Sequence, residues 1–277
     1  MREQVAKLRD RFDIAIDFQG LLKSGLVAKA TNAPRRIGFA SEELREKASR
    51  IFLTEQVSTA SARHIIDKNL VLASSILPAS AVCSSTQDYE FPIAVSPEDE
   101  QYIAEQVIAR ADSFAILNPG GGWWTKLWSV ERFGKLADLL WSSYGISSLV
   151  TYGPGEEALA EGVRKASVSG KALPVSLSLK GFYSLARGAK VYVGGDTGPT
   201  HIAVAAGAPI VGLFGPTEWW RNGSPRPEDI CVERTDIDCR VDCHRRACSK
   251  WICMDIEVGR VLEAVDRRMA HNDAQTS

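Results

Sequence analysis

The sequence predicts an α/β protein built on parallel sheets, and three observations carry that prediction. Apolar runs of strand length alternate with stretches whose apolar residues recur at three- and four-residue spacing. Four of those runs, all in the second half, pass directly into glycine-rich loops. The chain is 277 residues long and 45% hydrophobic, enough to bury a core in one large or two modest domains. Strands that alternate with helices pair in parallel through right-handed crossovers.

In the first half, the run DIAIDF reads as a strand and GLLKSGLVAKAT as a helix, followed by a basic turn at Arg35 and Arg36 before a strand at IGF. Two helical patterns are expected over 41–77, the second being HIIDKNLVLASSIL. Pro78, Pro92, Pro97 and a serine-rich middle mark 78–97 as a linker, which divides the chain into domains 1–95 and 96–277. The second half reads as helix 98–110, strand FAILN, helix 129–143, strand SSLVTY and helix 156–166. It continues with strand ALPV, helix 178–187, strand KVYVGG, helix 199–206 and strand PIVGLFG, and the tail HNDAQTS is expected to be unstructured.

Bulk charge narrows the function classes. Lys plus Arg total 33 against 34 Asp plus Glu, so no global charge favours a nucleic-acid partner. Charges interrupt the N-terminus where a signal peptide needs an apolar core, and no stretch reaches the roughly 18 apolar residues of a membrane span. A soluble cytoplasmic protein is expected, with its six cysteines as thiols or metal ligands rather than a disulfide framework.

The chemistry is signalled by NPGGGWWTK (118–126), YGPGEE (152–157), GGDTGPTH (194–201) and FGPTEWW (214–220). Each follows a strand, and in a doubly wound sheet all such loops lie at the carboxyl edge, where ligands bind. In the third, Gly194, Gly195 and Gly198 allow close backbone approach and Pro199 suits the first helical position. The helix start offers free N–H groups and a positive dipole end to phosphate, with the Thr197 and Thr200 hydroxyls and His201 beside it. The other reading of this segment is a tight turn, with Asp196 as a helix cap and His201 as a packed histidine. Three consecutive glycines before Lys126 suggest a second anion-facing loop; otherwise that loop is mobile and Lys126 solvated.

Two nucleotide-binding motifs are excluded. GPGEEA (153–158) fits a loose GxGxxA, but Glu156 and Glu157 place negative charge where a dinucleotide pyrophosphate would sit, and the acidic residue about twenty positions on is missing. Glu156, or Glu157, is instead a candidate acceptor for ribose hydroxyls; an acidic helix start is the alternative. No GxxxxGK[ST] is present, so a P-loop is unsupported.

With these residues in view, the chain resembles glycosyltransferase family 9, the ADP-heptose:lipopolysaccharide heptosyltransferases of the heptosyltransferase I type. The resemblance runs over roughly 11–265 and is carried by DFQGLLKSG (17–25), the basic residues before IGF, the Lys126 loop, DTGPTHIAVAAGAPIVGLFGPT (196–217) and the cysteine-rich ending. It implies a GT-B fold of two facing Rossmann-like domains, the N-terminal one lacking its first strand and loop. It also implies inverting transfer of heptose from ADP-L-glycero-D-manno-heptose to Kdo of the lipopolysaccharide inner core, without cofactor or essential metal. By matching position Thr197, Gly198 and His201 would hold the pyrophosphate, Lys126 neutralise it, Asp196 shape the loop, Glu156 bind ribose and Leu177 lie against adenine. Gln19, Lys23 and Arg63 fall where an acceptor of the Kdo2-lipid A type would bind, at the inner face of the inner membrane.

Inverting transfer needs a base for the acceptor hydroxyl and fixed positive charge for the departing nucleotide. The family's RLxxLGDV-type loop, which carries the aspartate assigned as base, does not occur in this chain, so a natural start farther upstream is expected. A catalytically incomplete nucleotide-sugar-binding remnant, or another donor or acceptor, is the alternative. Asp17, at the end of IAIDF, is a candidate substitute base; the alternative is a turn or acceptor-binding residue.

Cys239, Cys243, Cys248 and Cys253, with His244 between, have a spacing that departs from paired CxxC zinc knuckles, and a packed thiol cluster is expected rather than a metal site. Arg35, Arg36, Lys23 and Arg63 form either an attraction for an anionic acceptor or a solvated basic surface. Trp123, Trp124, Trp219 and Trp220 are read as stacking surfaces for sugar or base, or as core.

Overall fold

A computed structural model describes residues 6–77, 89–106, 113–239, 243 and 246–276. The chain forms two compact units, Met1–Gln87 and Asp88–Ser277. Of the linker expected over 78–97, residues 78–88 lie outside the described residues, and helix α3 already begins at Pro97.

The first unit holds β1 (Ile14–Asp17), α1 (Leu22–Ala30), β2 (Arg35–Phe39), β3 (Glu55–Val57) and α2 (Ile65–Ser74). The three strands pair in parallel in the order β1-β2-β3, over a core of Ile37, Phe39, Leu44 and Leu72. Two expectations are corrected here. Arg35 and Arg36 are not a turn: they open β2, and Arg35 donates through Nε and Nη2 to the Glu55 carboxylate on β3 at 2.7 and 2.8 Å. Arg36 donates to the carbonyls of Ala33 and Phe52 at 2.7 and 2.8 Å, so both guanidinium groups tie the sheet together. The first helical pattern expected after residue 41 is replaced by a 3-10 turn at Lys47–Phe52 and the short strand β3, whose three residues EQV give no periodicity to read.

The second unit holds α3 (Pro97–Gln106), β4 (Phe114–Asn118), α4 (Val130–Tyr144), β5 (Ser147–Tyr152), α5 (Glu157–Ala166), β6 (Ala172–Ser176) and α6 (Leu179–Ala186). It continues through β7 (Val191–Gly195), α7 (Gly198–Ala205), β8 (Ile210–Phe214), α8 (Trp219–Asn222), β9 (Ile230–Glu233) and α9 (Val258–Thr276). Local chemistry sets several boundaries. Ser129 caps α4 by accepting from Arg132 N at 3.2 Å, and Gly145 ends it with φ of 65°. Ser178 caps α6 by accepting from Gly181 N at 3.0 Å.

All six strands are parallel in the order β6-β5-β4-β7-β8-β9. Counted from β4, this is the 3-2-1-4-5-6 order of a doubly wound nucleotide-binding sheet, with its switch point between β4 and β7. Strands β4, β7 and β8 are buried throughout, as a sheet covered on both faces requires. One face packs Leu117, Phe133, Leu140, Val193 and Val261, the other Ile116, Leu149, Phe182, Leu185 and Ile210. Strand β9 was not expected, because its four residues lie among charges, and the tail expected to be unstructured continues α9 as far as Thr276.

The last helix is fastened by a buried charge cluster. Asp229, whose side chain is fully buried, accepts from Arg268 Nε at 2.8 Å, from Arg226 Nε at 3.0 Å and from Ile210 N at 2.9 Å. Removing one cation leaves a buried carboxylate short of charge. Arg268→Ala is expected to destabilise the protein by about 3 kcal/mol in urea unfolding, where a surface arginine changed to alanine moves it by less than about 0.5 kcal/mol.

Candidate functional site

The loops that follow β4 and β7 flank the switch point of the larger sheet, and one ion pair joins them. Lys126 closes a 3-10 turn at Trp124–Lys126, and its Nζ lies 2.7 Å from Asp196 Oδ2 and 3.0 Å from the Asp196 carbonyl oxygen. Both side chains are mostly buried, at 13% and 7% exposure. An ammonium group has three protons, so two are committed to Asp196 and one is left for a ligand oxygen. Burial alone would raise the Asp196 carboxyl, but hydrogen bonds from His201 and Lys126, with the Lys126 charge, hold it well below the usual carboxylate range. Asp196 is therefore not the helix cap of the alternative reading; Thr197 holds the cap position, without a side-chain cap bond.

Helix α7 starts openly. Gly198 is its first residue and Pro199 its second, so the proline sits one position later than expected. The first-turn amides of Gly198 and Thr200 have no acceptor within the helix. A Cβ at Gly198 would meet nothing within 4 Å among the described residues, which leave this helix end open. His201 is half exposed at 50%, its Nε2 3.5 Å from Asp196 Oδ1, and is not a packed core histidine.

Thr200 departs from its expected part. It is buried, and its hydroxyl donates to the Gly195 carbonyl, which leaves it to accept from the Tyr192 hydroxyl at 2.9 Å. Burial pushes the Tyr192 hydroxyl up, keeping it a neutral donor beneath the loop. Of the two threonines, Thr197 lies at the helix mouth, 3.3 Å from Thr200 between hydroxyl oxygens.

Glu156 joins the two loops on the other side of β4. Its carboxylate accepts from Gly121 N and from Gly153 N, both at 3.0 Å, and a Cβ at Gly120 would come within 2.4 Å of it. Each oxygen keeps a lone pair for a further donor. Glu157 is exposed and accepts from Gly155 N at 3.1 Å; the N–H groups of Glu157 and Gly155 hold its carboxyl below the usual range. Leu177 follows β6, half-buried against the core face formed by Leu149 and Phe182. Asn118, a polar end to an apolar strand, donates to the Thr151 carbonyl and hydroxyl oxygens at 3.2 Å and holds the ends of β4 and β5 together.

The tryptophans divide. Trp219 is core: it meets Phe214 edge-on at 5.0 Å and fills the space beside Gly212 and Gly223. Trp220 is 45% exposed. Trp123 carries Lys126 Nζ at 4.4 Å and Arg246 Cζ at 4.9 Å from its ring centre. Trp124 meets Trp251 edge-on at 5.2 Å, and Trp251 Nε1 donates to the Thr125 carbonyl at 3.1 Å. Sequence reasoning missed Arg246, Trp251 and Tyr192, since none falls in a glycine loop.

The cysteine-rich segment thus packs against the loop after β4. Met254 Sδ and Cys253 Sγ also fill the space beside Gly215. Cys239, Cys243, Cys248 and Cys253 are free thiols, and burial together with the other three sulfurs pushes the Cys253 thiol up. His244 lies outside the described residues, and among the described residues no group of three or more His, Cys, Asp or Glu is placed to hold a metal.

In the first unit, Asp17 ends β1 buried, and its Oδ1 accepts from Gln19 N at 2.9 Å and Gly20 N at 3.2 Å. It holds a turn through this oxygen, while its buried Oδ2 has no hydrogen-bond partner among the described residues. Gln19, Lys23 and Arg63 have exposed side chains. Arg35 and Arg36, offered above as an attraction for the acceptor, are engaged within the sheet.

Comparison with known proteins decides the family. The model of glycosyltransferase family 9 (heptosyltransferase) matches residues 1–251. The chain belongs to that family. Lipopolysaccharide heptosyltransferase 1 of Pseudomonas aeruginosa is 27% identical over 209 residues, which cover 74% of this chain and 55% of the relative. The protein of the same name from Escherichia coli is 27% identical over 210 residues, covering 76% and 62%. The matched region therefore spans less than two thirds of the length of these relatives. Among solved structures, a family 9 glycosyltransferase of Veillonella parvula superposes with a TM-score of 0.73 at 20% identity, covering 98% of this chain and 76% of that one. Escherichia coli heptosyltransferase WaaC with ADP superposes at 0.68 and 18%, covering 96% and 76%. The family and the α/β fold of GT-B type implied by the resemblance are borne out.

The acid response of the ion pair is a test of this geometry. A depressed carboxyl pKa adds stability that is complete above the unfolded-state value and fades as pH falls below it. Wild type is expected to exceed Asp196→Asn in urea midpoint by a constant margin from pH 7 down to about 5, with the margin shrinking below about pH 4. A margin that does not change down to pH 2.5 contradicts the assignment.

Proposed function

We propose that the larger unit binds the donor of an inverting heptosyltransferase that transfers heptose from ADP-L-glycero-D-manno-heptose to Kdo of the lipopolysaccharide inner core. The observation that carries this reading is the Lys126–Asp196 pair beside the open start of α7, at the switch point of the sheet. Free amides, a helix dipole and a lysine proton converge there on a space suited to a diphosphate. Lys126, Asp196, Thr197, Gly198 and His201 form the diphosphate site in this reading, Glu156 receives the ribose hydroxyls, and Leu177 lies against the adenine. The relatives named as lipopolysaccharide heptosyltransferases, and the neighbour solved with ADP, support the choice of donor class.

In the reaction, the acceptor oxygen attacks the anomeric carbon as the bond from that carbon to the distal phosphate oxygen breaks. Negative charge grows on the leaving ADP, and the groups around α7 stabilise it in a site whose dipoles are already oriented. The acceptor hydroxyl must lose its proton as the new bond forms. Asp17 holds its turn through Oδ1, while its buried Oδ2 has no hydrogen-bond partner among the described residues, and no residue is assigned as the base. Gln19, Lys23 and Arg63 of the first unit are proposed to bind the anionic Kdo2-lipid A type acceptor. Among the described residues no helix is long and apolar enough to cross a membrane, and the proposal places the enzyme at the cytoplasmic face of the inner membrane by peripheral contact.

Incubation with ADP-heptose and Kdo2-lipid A is expected to add the mass of one heptose; transfer from a UDP-sugar alone refutes the donor, and ADP binding with no transfer from any donor supports a binding remnant. Independently, Lys126→Ala is expected to weaken ADP binding about tenfold or more by calorimetry, through loss of a charge-assisted contact. An unchanged affinity counts against the site.

A further inference from the structure

The charge around α7 does not balance a diphosphate by itself. Lys126 is already neutralised by Asp196, and Glu156 adds a second carboxylate on the neighbouring loop. The α7 dipole supplies only about half a charge. A second cation would bring the charge closer to balance, and the larger unit provides one from outside the glycine loops. Arg246, in the cysteine-rich segment, lies with its Cζ 4.9 Å from the centre of the Trp123 ring, the indole that also carries Lys126 Nζ at 4.4 Å. Its side chain is exposed, and among the described residues it has no carboxylate partner. The segment that carries it is tied down close by, through Trp251 Nε1 to the Thr125 carbonyl and the Trp251 ring against Trp124.

We propose that Arg246 is a donor-binding residue, the second cation of the site, which contacts the diphosphate beside Lys126 and stabilises the charge that develops as ADP departs. Trp123 serves as the shared platform, its ring carrying both cations while leaving the guanidinium N–H groups free for phosphate oxygens. The cysteine-rich segment then has a purpose beyond packing: it delivers this arginine. The proposal rests on the donor-site reading given above.

Calorimetry of ADP binding to the whole chain, with Arg246→Ala, Arg246→Lys and Lys126→Ala beside wild type, tests it. Arg246→Ala is expected to weaken ADP about tenfold with the unfolding midpoint of the unliganded protein unchanged, and Arg246→Lys to recover part of the loss. Unchanged ADP affinity in Arg246→Ala, while Lys126→Ala still weakens binding, overturns the proposal and leaves the donor site standing. A loss that Arg246→Lys does not relieve, together with a lowered unfolding midpoint, marks a packing role under Trp123 and also overturns it. Wild type that fails to bind ADP removes the donor reading and this inference with it.

Discussion

The contact between Lys126 and Asp196 is the constraint on which the rest of the site depends. It spans the switch point of a parallel sheet, where successive crossovers depart to opposite faces and leave a crevice at the carboxyl edge. With both partners mostly buried, neither charge can be removed without stranding the other. The pair therefore fixes the loop after β4 against the loop after β7 and sets the open end of α7 beside a lysine.

Around this pair the neighbouring loops are held by backbone donors and small residues. Glu156 gathers amides from two glycine loops, and Tyr192 and Thr200 fill the space beneath the loop after β7. The cysteine-rich segment reaches back to the same region, with Trp251 on the loop after β4 and Met254 beside Gly215. Among the described residues, nothing lies within 4 Å of a Cβ built at Gly198, so the helix dipole and first-turn amides face open space.

The larger sheet is legible in the sequence because its strands are continuous apolar runs punctuated by glycine, and five of its six strands are read from that pattern. β9 escapes because ICVE is short, lies between charged residues and leads into no glycine loop. In the first unit, strand β2 begins with two arginines that pair with Glu55 and with carbonyls; a basic dipeptide before IGF reads as a turn when those long-range partners are unknown. The glycine loops likewise announce the site, and Lys126, Glu156, Asp196 and Thr197 can be chosen from them. What the pattern cannot show is which side chains turn inward. Thr200 donates into its own loop, and Arg246 reaches the Trp123 ring from over a hundred residues beyond the glycine triplet, a contact with no local signature.

In a crystal structure of the protein with ADP bound, phosphate oxygens are expected within hydrogen-bonding distance of the Gly198 and Thr200 amides and of Lys126 Nζ, with the ribose beside Glu156. Nucleotide density located away from the start of α7 would contradict this arrangement.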